Sequence, residues 1–431
     1  MKKLPIALAG VCAALVLALL AFGGITAVVG ANEHTPVGNC GTLSSPGTYE
    51  ISEDIEYLTA DSSFTCIVIG ADDITLTNPN NHTITDVSVQ DQNAGLAVNG
   101  KTSVTVSGLV ITGFDTGIFL SGDLTDTVIT ENDVTGNTIS GIRTNSATNA
   151  TVSNNTVGGH LWFGIWMNSG GDFEIIGNDV SGSGRSGIYL NSAHGNLITS
   201  NFVHSNSNPD QIEFDPTAGI EVNGSNNNVL TLNIVQDNPN FGILLNSADF
   251  SVVSGNEVSL NEFGIALNSS DDSTISNNIV SQNRWGISLN SADNNSVTDN
   301  TVENNIEFGI RLNSSSGPGD EEQGPAPGNV IARNTISNNG SGIDVNSSHG
   351  NLILNNNLID NPSPQISVDS SSSENFYNIG LDWGGNFWSN YSTVFQGCTD
   401  ADSDGLCDEA FQFSQGVGDC LPGLARMDGR L

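Results

Sequence analysis

From Gly95 to Val368 the chain repeats one short pattern: glycine, an apolar residue, a variable residue, a second apolar residue, then most often asparagine. The block begins at Gly95, Gly117, Gly141, Gly164, Gly187, Gly219, Gly242, Gly264, Gly286, Gly309 and Gly342. Successive spacings are therefore 22, 24, 23, 23, 32, 23, 22, 22, 23 and 33 residues. Within the block Ile118 and Leu120, Ile165 and Met167, and Ile188 and Leu190 face one way. Phe119, Trp166 and Tyr189 face the other, so the period of two predicts a strand with one buried face. The rest of a coil, such as Asn246 to Asn261, holds two more short apolar pairs, each followed by Asn, and shows no helical period. Three short strands with Asn- or Gly-bearing corners close one turn, and self-similarity at this period marks a solenoid. A leucine-rich repeat shares the spacing but carries a helical segment, which these Val-, Ile- and Thr-rich coils lack.

Cys66-Ile67-Val68-Ile69 and Gln365-Ile366-Ser367-Val368 read as degenerate first and last coils. That makes about thirteen coils, or roughly 60 Å at one inter-strand spacing per coil. The expected architecture is all-β: a right-handed, single-stranded parallel β-helix with disulfide-stabilised ends. Asn at the corners tolerates left-handed backbone angles. Its amides are expected to form a buried ladder through Asn145, Asn168, Asn191, Asn223, Asn246, Asn268, Asn290, Asn313 and Asn346. Phe163, Phe241, Phe263, Trp285 and Phe308 each precede a repeat glycine and are expected to stack in the core.

The ends differ from this middle. Lys2 and Lys3 precede an uncharged, mostly apolar run from Leu4 to Ala31, closing on the small residues Val29-Gly30-Ala31. Residues 1–31 read as a signal peptide or an uncleaved N-terminal anchor. Residues 32–94 form an N-terminal cap and first coils, 95–380 the β-helix, and 381–431 a C-terminal cap. Cysteines agree with export: outside the leader they are Cys40, Cys66, Cys398, Cys407 and Cys420, clustered at the two ends. The expected bridges are Cys40–Cys66 and Cys398 with Cys407 or Cys420. With 10 Lys+Arg against 47 Asp+Glu, the net charge of -37 disfavours nucleic acid, whose affinity depends on basic side chains. It also disfavours anionic membrane surfaces, leaving an uncleaved leader as the route to a membrane. A secreted or cell-surface monomer is expected.

The run of short coils resembles the NosD-like group of right-handed β-helix proteins, carbohydrate-binding and sugar-hydrolase-like solenoids. The tail Leu381-Asp-Trp-Gly-Gly-Asn386-Phe-Trp-Ser-Asn-Tyr391, followed by an Asp-rich loop, looks like the end of such proteins from archaea and bacteria. The likeness covers roughly residues 40–411 and implies fold more strongly than activity.

Two features carry candidate chemistry. Asp400-Ala-Asp402-Ser-Asp404-Gly405-Leu-Cys-Asp408 places alternate carboxylates around a turn, suited to Ca²⁺. Position twelve of an EF-hand loop would be Phe411, so the spacing instead looks like thrombospondin type 3 calcium loops. Structural calcium held by Asp400, Asp402, Asp404 and Asp408 is expected. The second feature is the 32-residue interval before Gly219, which inserts a loop within His204 to Pro216 carrying Asp210, Glu213 and Asp215. Beside it, outward positions hold Arg143, Trp162, Trp166, Arg185, Tyr189 and Glu221, whereas Leu244, Ala266 and Ser288 elsewhere are plain. Aromatic platforms beside Arg and carboxylates suit a polysaccharide or cell-surface glycan, and acidic pairs suit glycoside hydrolysis. Glu213, Asp215 and Glu221 are the catalytic candidates for a hydrolase or lyase. Arg143, Trp162, Trp166, Arg185 and Tyr189 are the substrate-binding candidates. A non-catalytic surface protein or adhesin is the alternative. Copper handling, which the NosD resemblance suggests, finds only scattered His34, His82, His160, His194, His204 and His349, with Met167 the one Met of the solenoid.

Overall fold

The structure, a computed structural model, describes residues 34–58, 65–88, 93–206, 217–315, 328–362, 364–377 and 385–390, together with the backbone of strands Phe411–Ser414 and Val417–Asp419. All belong to one compact unit, His34–Leu431. No helix occurs among the described residues. Short strands pair in parallel into ladders of 26 and 14 strands, forming a β-solenoid of about 13 turns.

One coil shows the construction. Strands Phe241–Asn246, Val252–Ser254 and Glu257–Ser259 form its three sides. Each pairs with the equivalent strand of the next coil, Ile243 opposite Ile265, Val253 opposite Ile275 and Val258 opposite Val280. Ile243, Leu245, Val253 and Val258 point inward and are 0% exposed. Burying each such side chain contributes about 1.5–3 kcal/mol, repeated at every coil. The repeat glycine has a steric cause. A Cβ on Gly264 would lie 2.5 Å from Val280 Cγ1 and 2.6 Å from the Gly286 carbonyl.

The corners correct the expectation about asparagine. The deeply buried ladder runs through Asn132, Asn155, Asn178, Asn201, Asn233 and Asn256, and onward through Asn278 and Asn300. The expected ladder exists on the outer face instead, where its members are half-buried or exposed. Left-handed backbone belongs to the residue before each buried Asn: Ser200 (φ 58°), Leu232 (φ 57°) and Asn277 (φ 56°) precede Asn201, Asn233 and Asn278. That residue turns the corner and so aims the following amide inward. A left-handed non-glycine residue costs about 1–2 kcal/mol. The amide bonds it creates, at about 0.5–1.5 kcal/mol each, offset that cost.

Both long intervals leave the coil register intact. Asn191 pairs with Asn223 across the first, and Asn313 with Asn346 across the second. Cys40 and Cys66 form the expected disulfide. The leader, Cys398, Cys407 and Cys420 lie outside the described residues.

Candidate functional site

Stacking identical coils places equivalent residues in files about 4.8 Å apart per step. One outward file runs Phe119, Arg143, Trp166, Tyr189, Glu221, Leu244 and Ala266, each paired with the next. Four of the candidate residues, Arg143, Trp166, Tyr189 and Glu221, are thus brought together by register alone. The Arg143 guanidinium lies 4.1 Å from the Trp166 ring centroid, and Arg185 lies 5.1 Å from that of Trp162. Trp162 and Trp166 are 6.5 Å apart at a tilt of 48°, and Trp162 is 43% exposed. Among the described residues Arg143 has no carboxylate at salt-bridge distance, and its Nε is buried without a hydrogen-bond partner. Desolvation lowers its pKa below the ordinary guanidinium value. A half-buried cation with no counter-ion among the described residues can anchor a polar ligand group.

Glu221 is 5% exposed and accepts a 2.5 Å hydrogen bond from Ser186 Oγ. The Ser186 Oγ in turn accepts from the Ala218 N–H at 3.0 Å. The carboxylate is therefore held rigidly. Tyr189 accepts a 3.3 Å hydrogen bond from Asn223 Nδ2. Glu213 and Asp215, with Asp210, lie outside the described residues, as do Asp400, Asp402, Asp404 and Asp408 of the Asp-rich loop.

Two parts of this face were not anticipated. The sequence pattern places Phe163 in the core stack. It is buried, but its ring stacks on Tyr189 with centroids 4.5 Å apart and lies 5.1 Å from Trp166, within the outer aromatic cluster. A cavity of about 460 Å³ opens on the other side of Arg143, lined by Asn93, Asp115, Thr116, Phe119 and Ile139. Asp115 directly precedes a strand of the repeat, so its offset from Gly117 was the available signal. The remaining aromatic residues of the expected core stack, Phe241, Phe263, Trp285 and Phe308, are half-buried on the outer face. Phe241 and Phe263 cover a small separate cluster of Ala218, Leu244 and Ala266.

These features define a parallel β-helix with an aromatic and arginine-bearing outer face. The chain belongs to the NosD family: the family model described as "Periplasmic copper-binding protein (NosD)" matches residues 59–213 and again 209–393. No curated protein sequence matches it. Among solved structures it is similar in fold to the Azotobacter vinelandii mannuronan C-5 epimerase AlgE6 A-module, at 14% identity and TM-score 0.49, covering 77% of this chain and 89% of that one. The AlgE4 A-module of the same organism gives 17% identity and TM-score 0.47, covering 76% of this chain and 90% of that one. The Dettilon tailspike protein gives 16% identity and TM-score 0.48, covering 70% and 61%.

The copper of the family description finds no matching donor set among the described residues, where no three His, Cys, Asp or Glu side chains gather as metal ligands. His82 lies 3.6 Å from Asp54, His204 3.2 Å from Asp179, and His349 2.9 Å from the Ser373 hydroxyl, each in a different part of the solenoid. His160 is closed inside a corner, its Nδ1 accepting from the Asn137 N–H at 3.2 Å. Copper sites require converging His, Cys or Met, and these residues do not converge.

Proposed function

We propose that the protein is an exported carbohydrate-binding solenoid that takes a polysaccharide along the outer face from Asp115 to Glu221. The observation that supports this reading most is Arg143 over Trp166 beside the exposed ring of Trp162. Apolar ring faces accept the C–H side of a sugar, while Arg143, Arg185 and Tyr189 meet its oxygens. Glu221, buried and bonded to Ser186, suits a rigid acceptor for a ligand hydroxyl. Hydrolysis would require a second carboxylate, for which Glu213 and Asp215 remain the proposed partners. The Asp400 to Asp408 loop is proposed to bind calcium in a structural role. The extracytoplasmic location rests on the apolar leader, the Cys40–Cys66 bridge and the periplasmic family description. Glycan-array binding tests the reading: wild-type protein binds, and Trp162→Ala and Trp166→Ala weaken binding with the fold intact. Binding indifferent to both changes would overturn it.

A further inference from the structure

Five coils beyond Trp166, about 24 Å along the axis, the outer face repeats its chemistry. Trp285 occupies the file of Phe163, with Phe263 and Phe308 as its neighbours one coil away on either side. Arg311 lies 5.0 Å from the Trp285 centroid and 5.4 Å from that of Phe308, an Arg-over-indole arrangement like that of Arg143 and Trp166. Asp344, one coil on, lies 3.3 Å from Arg311 Nε as an ion pair, while that Nε, like the Nε of Arg143, makes no hydrogen bond among the described residues. On the other flank Arg284 contacts Glu262 and Glu307 at 2.6 Å each, and Glu307 accepts from the Trp285 indole N–H at 2.8 Å. The ring is held from both sides.

A cavity of about 290 Å³ lies among these groups, drawing its walls from four coils, Phe241 to Asn313. That is close to the lower end of small-ligand sites. One wall is aromatic. Another is made of Asn268, Asn290 and Asn313 from the outer amide ladder, with Ser288 on its floor. The ladder is continuous from Asn145 to Asn246. Among the described residues, no side-chain bond joins Asn246 to Asn268 or Asn268 to Asn290. Asn268, which lines the cavity, thus has its side-chain amide outside the ladder among the described residues. Packing explains Phe241 and Phe263, which cover Ala218, Leu244 and Ala266. It does not explain a polar-walled cavity beside a clamped indole.

We infer that this cavity is a second carbohydrate platform, and that the ligand is a polymer long enough to reach both. The inference rests on the proposed reading of the first platform. The two lie on one face of one solenoid: the first platform ends at Glu221, and the walls of the second begin at Phe241 in the next coil, so that the two indoles Trp166 and Trp285 are five coils apart on a continuous face. A short oligosaccharide fills one platform; an extended polymer engages both, and the second contact is then intramolecular.

Isothermal titration with polygalacturonate and xylan, and with the trisaccharide of each, tests this. For whichever sugar binds, wild-type protein takes two trisaccharides per chain. Ser288→Gln fills the cavity, leaves every ring in place, and reduces the stoichiometry to one while weakening polymer binding by about a hundredfold. Trp285→Leu does the same with apolar bulk retained, and an unchanged melting temperature shows that either variant is folded. One trisaccharide site in the wild type, lost in Trp166→Ala and untouched by Ser288→Gln, overturns the second platform and leaves the first. Absence of binding to both polymers in the wild type overturns the two together.

Discussion

Asn178 donates a side-chain N–H to Oδ1 of Asn201 at 3.0 Å, and Asn201 repeats the bond to Asn233 at 2.9 Å. The same Asn201 oxygen also accepts the Asn178 backbone N–H, and its amide gives a further 2.9 Å bond to the Ile175 carbonyl. Each ladder Asn thus satisfies backbone groups of earlier coils that no water reaches.

Asn201→Ala therefore leaves a buried N–H and a buried C=O unpaired. At about 1–3 kcal/mol for each such group, the expected loss is about 3 kcal/mol or more. Asn246→Ala, in the half-exposed outer ladder, should cost under about 1 kcal/mol because water replaces its bonds. Thermal melts of the two variants side by side decide the matter. Equal shifts would show that burial does not separate the two ladders.

Strands and the inward face were legible because one rule, the alternation of Ile243 with Leu245 around a variable residue, sets both. The corners were not. Asn246 and Asn256 share residue type and period, and only backbone left-handedness before Asn256, at Gly255 (φ 68°), turns that amide inward. Leu232 and Leu260 take the same conformation without any residue signature. The aromatic stack was misassigned because Phe241 and Leu244, three apart, share the outer face, which strict alternation forbids. The file Arg143, Trp166, Tyr189, Glu221 was legible because equal offset from the repeat glycine means vertical stacking. The lack of a counter-ion for Arg143 among the described residues was not, since it depends on which side chains the neighbouring coils place beside it.

The Cys40–Cys66 bridge closes a loop with a sequence separation of 26. Chain-entropy reasoning gives about 3 kcal/mol for a loop of that size, confined to the end coils of a solenoid whose repeats stabilise only their neighbours. Reduction, or Cys40→Ser with Cys66→Ser, should raise amide exchange in strands Gly41–Leu43 and Thr65–Ile69 and leave Phe241–Asn246 unchanged. Uniformly raised exchange along the rod would contradict that local action.

A second buried ladder runs through Asn206, Asn238, Asn261 and Asn283. At the equivalent corner nearer the N-terminal end His160 takes an asparagine's place, and desolvation lowers its pKa from 6.5 to about 4. The folded protein binds this proton less readily than the unfolded chain. Its contribution to stability is therefore fully present above pH 6.5 and is lost as pH falls from there to about 4. The shift corresponds to about 3 kcal/mol. His160→Asn keeps an acceptor for Asn137 and removes the titration. Its melting temperature should fall less than the wild type's between those two pH values, and parallel curves would assign the acid sensitivity elsewhere.

Calcium at Asp400, Asp402, Asp404 and Asp408 would bind the folded cap and not the unfolded chain, and so stabilise by mass action. Added EDTA should lower the melting temperature of calcium-loaded protein, and Asp404→Asn should abolish the difference. A melt identical with and without calcium in the wild type counts against the loop as a metal site.

Arg143→Lys separates charge from shape at the proposed glycan face. Lysine keeps the positive charge but loses the planar group that lies over the Trp166 ring and offers several donors in fixed directions. Cation–π and directed hydrogen bonding together are worth about 1–2 kcal/mol in a half-desolvated setting. Affinity for the polysaccharide should therefore fall about tenfold in Arg143→Lys, and no further in Arg143→Met. If instead the lysine variant binds as the wild type does and the methionine variant does not, Arg143 acts as a point charge. Affinity should then weaken measurably with added salt, though less than for a fully exposed contact, because a half-buried charge is only partly screened. Measuring both variants at low and high salt assigns the contribution to stacking geometry or to charge.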